Sequence, residues 1–196
     1  MITTRNVAIL IFDDVEILDF CGPYEVFGVT GRHNNPQPFN VYTVAEQLKP
    51  IIARNQLSVN PKYTIKECPP PDIVLVPGGY GTRREMHNQV LINWIKQCFE
   101  HSELLLSVCT GALLLAKAQL LENLAATTHH LAIDLLKEVA PNTEIRIGDR
   151  FVDNGKIIVS AGISAGIDMS FYVVAKLLGK EAAIETAQYM EYDWKS

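Results

Sequence analysis

The sequence predicts one α/β domain over residues 1–196, a mostly parallel sheet sandwiched by helices. Three observations carry this reading. Short unbroken apolar runs rich in branched residues read as strands buried on both faces. These runs alternate with stretches of helical spacing, the pattern of strands joined by crossover helices. A chain of 196 residues, 48% hydrophobic and 20% charged, suits one core that buries roughly 70% of the unfolded surface. No repeat, low-complexity segment or linker interrupts it.

The first strand is expected at residues 7–12, ended by Asp13-Asp14. A helix should follow within residues 18–29, with Gly22-Pro23 near its start. Residues 31–38 are polar and turn-rich, and residues 39–45 form a second strand. Short alternating patterns in residues 51–65 suggest minor strands at the sheet edge. Cys68-Pro69-Pro70-Pro71 leads stiffly into a strand at 72–76, which stops at Pro77-Gly78-Gly79-Tyr80-Gly81. Val90, Ile92, Ile95 and Phe99 give residues 88–101 helical spacing. Residues 104–108 are another buried strand, 110–121 a helix, and 131–139 a short helix ended by Pro141. Asn154-Gly155 between β-type residues marks a hairpin, and 157–160 is a strand. Ser164 is expected to cap a helix running to residue 178, and 180–192 form the last helix.

Several classes of function are excluded or set aside. The 17 Lys and Arg against 22 Asp and Glu give a net charge of −5, and no basic run exceeds Arg83-Arg84. A general nucleic-acid binder would show the opposite balance. The longest apolar uncharged stretch, 104–116, is too short for a membrane helix, which needs about 20 residues. The N-terminus lacks the apolar region and cleavage site of a signal peptide, so a cytoplasmic location is expected. Cys21, Cys68, Cys98 and Cys109 form no Cys-x-x-Cys pair, and in a reducing compartment each should be a free thiol.

Ligands of open α/β sheets bind beyond the carboxyl ends of the strands. Three such ends carry unusual residues. In Ser107-Val108-Cys109-Thr110-Gly111 a buried strand runs into a helix through a cysteine flanked by small residues, the spacing of a nucleophile elbow. A helix N-terminus favours the thiolate; the alternative is a small buried hydrophobe. Pro77-Gly78-Gly79-Tyr80-Gly81 lets backbone N–H groups turn toward a negative oxygen, or is simply a turn. Asp19 lies in an apolar stretch before Gly22-Pro23. It either caps the helix or aims a carboxyl at the cysteine, with a pKa raised by burial. His129, in Thr127-Thr128-His129-His130, is a candidate base or a structural neighbour of the site. Ile163 lies among the small residues that open the helix toward Asp168.

The cysteine elbow, the Pro-Gly-Gly-x-Gly loop and the acidic residue after the first strand together resemble the ThiJ/PfpI superfamily, over residues 7–192. Leu18-Asp19-x-x-Gly22-Pro23, Ser107-Val108-Cys109-Thr110-Gly111, Ala126-Thr127-Thr128-His129, Gly162-Ile163-Ser164-Ala165-Gly166-Ile167-Asp168 and Glu191-Tyr192 resemble its isonitrile hydratase branch. The same motifs occur in the ligand-sensing halves of AraC-type transcription regulators.

The resemblance implies a flavodoxin-like, class I glutamine-amidotransferase-like fold. It implies Cys109 as nucleophile, Asp19 as its acid/base partner and Thr110 as a helper. Gly79 matches a backbone donor, and Gly78, Ile163 and His129 complete the expected substrate and oxyanion set. A homodimer, a small-molecule substrate and no metal or organic cofactor are further expectations. Thr110 stands where protease- and glyoxalase-like branches carry His, and His130 stands where the hydratase branch carries an aromatic residue. The expected activity is a cysteine-dependent hydro-lyase that adds water to an isonitrile to give an N-substituted formamide. The alternatives are a ligand-sensing domain, against which stand the few residues after the last helix, and a redox or carbonyl-stress protein using the same thiol.

Overall fold

The computed structural model describes residues 3–195. In chain order the elements are β1 (Arg5–Leu10), α1 (Ile17–Val29), β2 (Phe39–Ala45), β3 (Ile51–Ile52), β4 (Ser58–Val59), β5 (Tyr63–Thr64), β6 (Ile73–Val76), α2 (Thr82–Glu85), α3 (Gln89–His101), β7 (Leu104–Val108), α4 (Ala112–Lys117), β8 (Ala125–Ala126), α5 (Ile133–Val139), β9 (Glu144–Ile145), β10 (Phe151–Asp153), β11 (Ile157–Ser160), α6 (Ala165–Leu178) and α7 (Lys180–Tyr189). Seven strands form the central sheet in the order β10-β11-β7-β6-β1-β2-β5, parallel except for β10. β6 and β7 are buried along their whole length, as strands covered by helices on both faces must be. Among the described residues, no helix is long and apolar enough to cross a membrane.

Several boundaries differ from expectation for local reasons. The segment after β2 does not all join the sheet edge: β3 and β4 pair only with each other, while β5 is the edge strand. The helix expected at 110–121 begins as a 3-10 turn, Cys109–Gly111, and α4 ends at Lys117 before Gln119 enters the left-handed region. Residues 130–132 are likewise a 3-10 turn ahead of α5. α7 stops at Tyr189, and Glu191 is left-handed beyond it. Ser164 makes no side-chain cap on α6; it is already helical, and its Oγ takes a hydrogen bond from Arg150 at 3.3 Å. Asn154-Gly155 forms the hairpin turn between β10 and β11, with Gly155 at φ 86°.

The arrangement brings the carboxyl ends of β1, β6, β7 and β11 side by side. Four connections leave the sheet there: the segment into α1, the glycine loop after β6, the Cys109 turn after β7, and residues 161–164 after β11.

Candidate active site

The cysteine sits at a strained corner. Cys109 has φ 55°, a conformation unfavourable for a residue with a side chain. Its N–H donates to Ala161 O at 3.2 Å, and Thr128 Oγ1 donates to its carbonyl at 2.7 Å. Gly111 is required at this corner because a Cβ there would lie 2.1 Å from Val76 O. The residue spacing of the elbow thus reflects the contact between the Cys109 turn and the end of β6.

Asp19 reaches the same point from α1. The buried stripe of that helix includes Asp19, Gly22, Pro23, Val26 and Phe27, the i, i+3, i+4 pattern of a core-facing side. Asp19 therefore lies inside the helix and does not cap it; Glu16 is the N-cap residue, without a side-chain cap bond. Gly22-Pro23 lie further into the helix than expected, and Pro23 has no N–H to offer the Asp19 carbonyl one turn back. The Asp19 carboxyl is fully buried. Its Oδ2 accepts the Gly78 N–H at 3.0 Å. Its Oδ1 has no hydrogen-bond partner, and the Cys109 thiol and the Ile163 amide lie near the carboxyl.

The electrostatics follow from burial. Loss of water raises Asp19 from the usual carboxylate range to about 7, against the opposing hydrogen bonds from Gly78 and Cys109. Burial also pushes the Cys109 thiol up to about 12, and the neighbouring Asp19 charge adds to the rise. The expectation of a resting thiolate is not met. The turn after Cys109 is 3-10 and α4 has six residues, so little helix dipole acts on the sulfur. Desolvation and the adjacent carboxylate outweigh it.

The glycine loop serves this pair differently from expectation. The Gly78 N–H holds Asp19, and the Gly79 N–H donates to Thr110 Oγ1 at 3.0 Å, so both amides are engaged within the protein. Gly78 has a steric role as well. A Cβ there would lie 2.5 Å from Thr110 N, 2.7 Å from Cys109 Cβ and 2.8 Å from Asp19 Oδ2. The Thr110 amide faces the sulfur and remains a donor to it.

Ile163 and His129 stand at one wall. Ile163 has φ 57°, an outlier for a β-branched residue, and it is partly exposed. The His129 ring packs on Gly162, where a Cβ would come within 2.3 Å of it. His129 Nδ1 accepts the Leu131 N–H at 3.3 Å, which leaves the ring proton on Nε2. Burial, then His130, hold its pKa below the usual value, so the ring is neutral at pH 7. The two imidazoles lie 4.3 Å apart and, with Ile133, Ile147 and Ile163, line a cavity of about 430 Å³. Cys21 points outward from α1, away from the site.

Sequence reasoning missed Thr82, which is fully buried against Thr110, and Thr128, which holds the Cys109 carbonyl. Only the Thr-Thr-His motif hinted at the latter. It also missed a link between two of its own motifs: Tyr192 donates to Asp168 at 2.9 Å, and Arg150 pairs with the same carboxylate. Among the described residues, no group of three or more His, Cys, Asp or Glu is placed to hold a metal ion.

Comparison with known proteins matches residues 5–176 to the DJ-1/PfpI family. The chain is 32% identical over 187 residues to the isonitrile hydratase of Pseudomonas putida, covering 95% of this chain and 78% of that one. It is 25% identical to the HTH-type transcriptional regulator CdhR of Pseudomonas aeruginosa, covering 91% of this chain and 52% of the regulator. Among solved structures, a THiJ/PfpI family protein from Pseudomonas syringae superposes with a TM-score of 0.88 at 26% identity, covering 100% of this chain and 78% of that one. Drosophila melanogaster DJ-1beta superposes with a TM-score of 0.84 at 16% identity, covering 98% of this chain and 100% of that one.

Proposed function

The chain belongs to the DJ-1/PfpI family, and from that premise we propose that it is a cysteine-dependent hydro-lyase adding water to an isonitrile to give an N-substituted formamide. The observation that carries this reading is the buried Asp19–Cys109 pair, in which one carboxyl oxygen, Oδ1, has no hydrogen-bond partner. An acid that titrates near 7 can both deliver and accept a proton at neutral pH. The resemblance to isonitrile hydratase supplies the substrate class.

The terminal carbon of an isonitrile must gain a nucleophile and a proton. Asp19 takes the Cys109 proton as the sulfur bonds to that carbon, then passes it to the same carbon, leaving an enzyme-bound thioimidate. The carbon–nitrogen triple bond becomes a double bond. Water then attacks the thioimidate carbon as Asp19 takes one of its protons and hands it to nitrogen. The hydroxyl proton returns to sulfur through Asp19 as the carbon–sulfur bond breaks. One formamide leaves and the thiol is restored. The Thr110 amide, which faces the sulfur, stabilises the charge that gathers there. His129 contributes a neutral Nε2–H donor to the cavity wall, where it contacts the R group rather than acting as the base. The protein works in the reducing cytoplasm, where its four cysteines stay thiols.

The test is a turnover assay with a panel of small isonitriles beside methylglyoxal and peptide-amide substrates. Formamide from the wild type and none from Cys109→Ala supports the reading; no formamide from any isonitrile removes it. A second reading, a ligand-sensing domain, rests on the likeness to the regulator CdhR. It predicts saturable binding of an isonitrile or related small molecule without turnover in the same assay.

A further inference from the structure

Thr82 opens α2 and is fully buried beneath the glycine loop. Its Oγ1 lies 2.7 Å from Gly79 O and 3.0 Å from Thr110 Oγ1. Thr110 Oγ1 in turn lies 3.0 Å from both Gly79 N and Gly79 O. The hydrogens in this cluster can be counted. The Gly79 N–H is committed to Thr110 Oγ1. The Thr82 N–H also donates to Gly79 O at 3.2 Å, so the two hydroxyl hydrogens compete for the one lone pair left on that carbonyl.

Two arrangements satisfy the geometry. In one, Thr82 donates to Thr110, and Thr110 donates to Gly79 O. In the other, Thr82 donates to Gly79 O, its shorter contact, and the Thr110 hydrogen is released. The released hydrogen can turn only toward another acceptor, and the Thr110 side chain also faces the Cys109 sulfur. Asp19 of α1 faces that sulfur as well, with Glu16 near the carboxyl; neither touches Thr82 in the hydrogen-bond network.

We propose that Thr82 is a positioning residue for Cys109: by satisfying the Gly79 carbonyl it frees the Thr110 hydroxyl to donate to the sulfur as negative charge develops there. This rests on the reading of Cys109 as the nucleophile. Thr82→Val keeps the shape of the side chain but removes its hydrogen, so the Gly79 carbonyl captures the Thr110 hydroxyl. The sulfur then loses a donor, and a hydrogen bond to a charged group is worth about tenfold or more in thiolate population.

The experiment is competitive alkylation of the native protein with iodoacetamide at pH 8, reading Cys109 against the exposed Cys21 of the same molecule. Thr82→Val should lower the Cys109 rate about tenfold relative to Cys21, and Thr82→Ser should restore it to within about twofold of wild type. A purely structural role would act in the opposite sense, because a loosened site exposes the buried thiol and speeds its labelling. A rate for Cys109 in Thr82→Val that is unchanged or faster overturns the proposal. Should Thr82→Val not fold, Thr82→Ala carries the same expectation and the same contrary result. The readout does not use isonitrile turnover. Formamide production with undiminished labelling would therefore remove only the role of Thr82, and diminished labelling without formamide only the hydratase reading.

Discussion

The Gly78 N–H donates to Asp19 Oδ2 at 3.0 Å, across 59 residues of sequence. One oxygen of the carboxyl is thereby fixed by backbone, and the other is buried with no partner of its own. A loop that could have bound an anion directly instead aims an acid.

This arrangement separates Asp19→Asn from a simple loss of charge. Asn keeps the shape and still accepts the Gly78 N–H, but it cannot carry a proton to carbon. Turnover should fall by roughly 10²- to 10⁴-fold. Steady-state kinetics on the best isonitrile of the panel checks this; wild-type turnover by Asp19→Asn would remove the acid/base step.

Stability should respond to pH in a definite direction. Asp19 rises from 3.8 to about 7 on folding, so between those values the folded chain holds a proton that the unfolded chain has lost. The unfolded state then binds fewer protons, and stability falls as pH rises from about 4 to about 7. The penalty is absent below this window and complete above it. Asp19→Asn should raise the denaturant midpoint at pH 8 and leave it nearly unchanged at pH 4. A gain of equal size at both pH values would mean that the carboxyl is not the source.

Gly78→Ala places a methyl group among Thr110 N, Cys109 Cβ and Asp19 Oδ2, each within 2.8 Å. Two of these are held by backbone, so the pair must separate. Activity should drop by about 10²-fold or more, with a stability loss of about 1–3 kcal/mol. Kinetics and thermal melts on the purified variant check both. Unchanged kinetics would show that the pair tolerates the displacement.

Much of this is legible in the sequence, and the boundary is physical. Strands buried on both faces write themselves as apolar runs, so residues 104–108 and 157–160 are read to the residue. The burial of Asp19 is not read this way, because α1 is apolar on its outward face as well and no one-sided stripe shows which way the carboxyl points. Which oxygen meets which amide is not legible. The partners of Gly78 and Gly79 depend on how the loop after β6 sits against α1 and the Cys109 turn, contacts made across 59 and 31 residues. Thr82 gives no periodic signal, and nothing in Gly162-Ile163 foretells the left-handed backbone of Ile163. The thiol's rise reflects burial and a neighbouring carboxyl, and local sequence shows only the helix that follows.

The outward face of α1 carries Leu18, Cys21 and Tyr24, an apolar surface on a helix that is apolar on its inner face as well. A homodimer that covers this face is expected. Sedimentation at micromolar concentration should give about twice the chain mass, and Tyr24→Glu should shift the protein toward monomer. A wild-type monomer would contradict the assembly, and an unshifted Tyr24→Glu dimer would place its interface elsewhere.

Turnover of an isonitrile should pass through a carbon–sulfur bond between Cys109 and the isonitrile carbon. Intact-protein and peptide mass spectrometry on samples acid-quenched within the first turnovers tests it directly. An adduct of the full isonitrile mass should appear on the Cys109 peptide, rising and falling with substrate, and should be missing from Asp19→Asn, which cannot carry the proton to carbon. Formamide made by Cys109→Ala at the wild-type rate, with no adduct on Cys109 in the wild type, would contradict it.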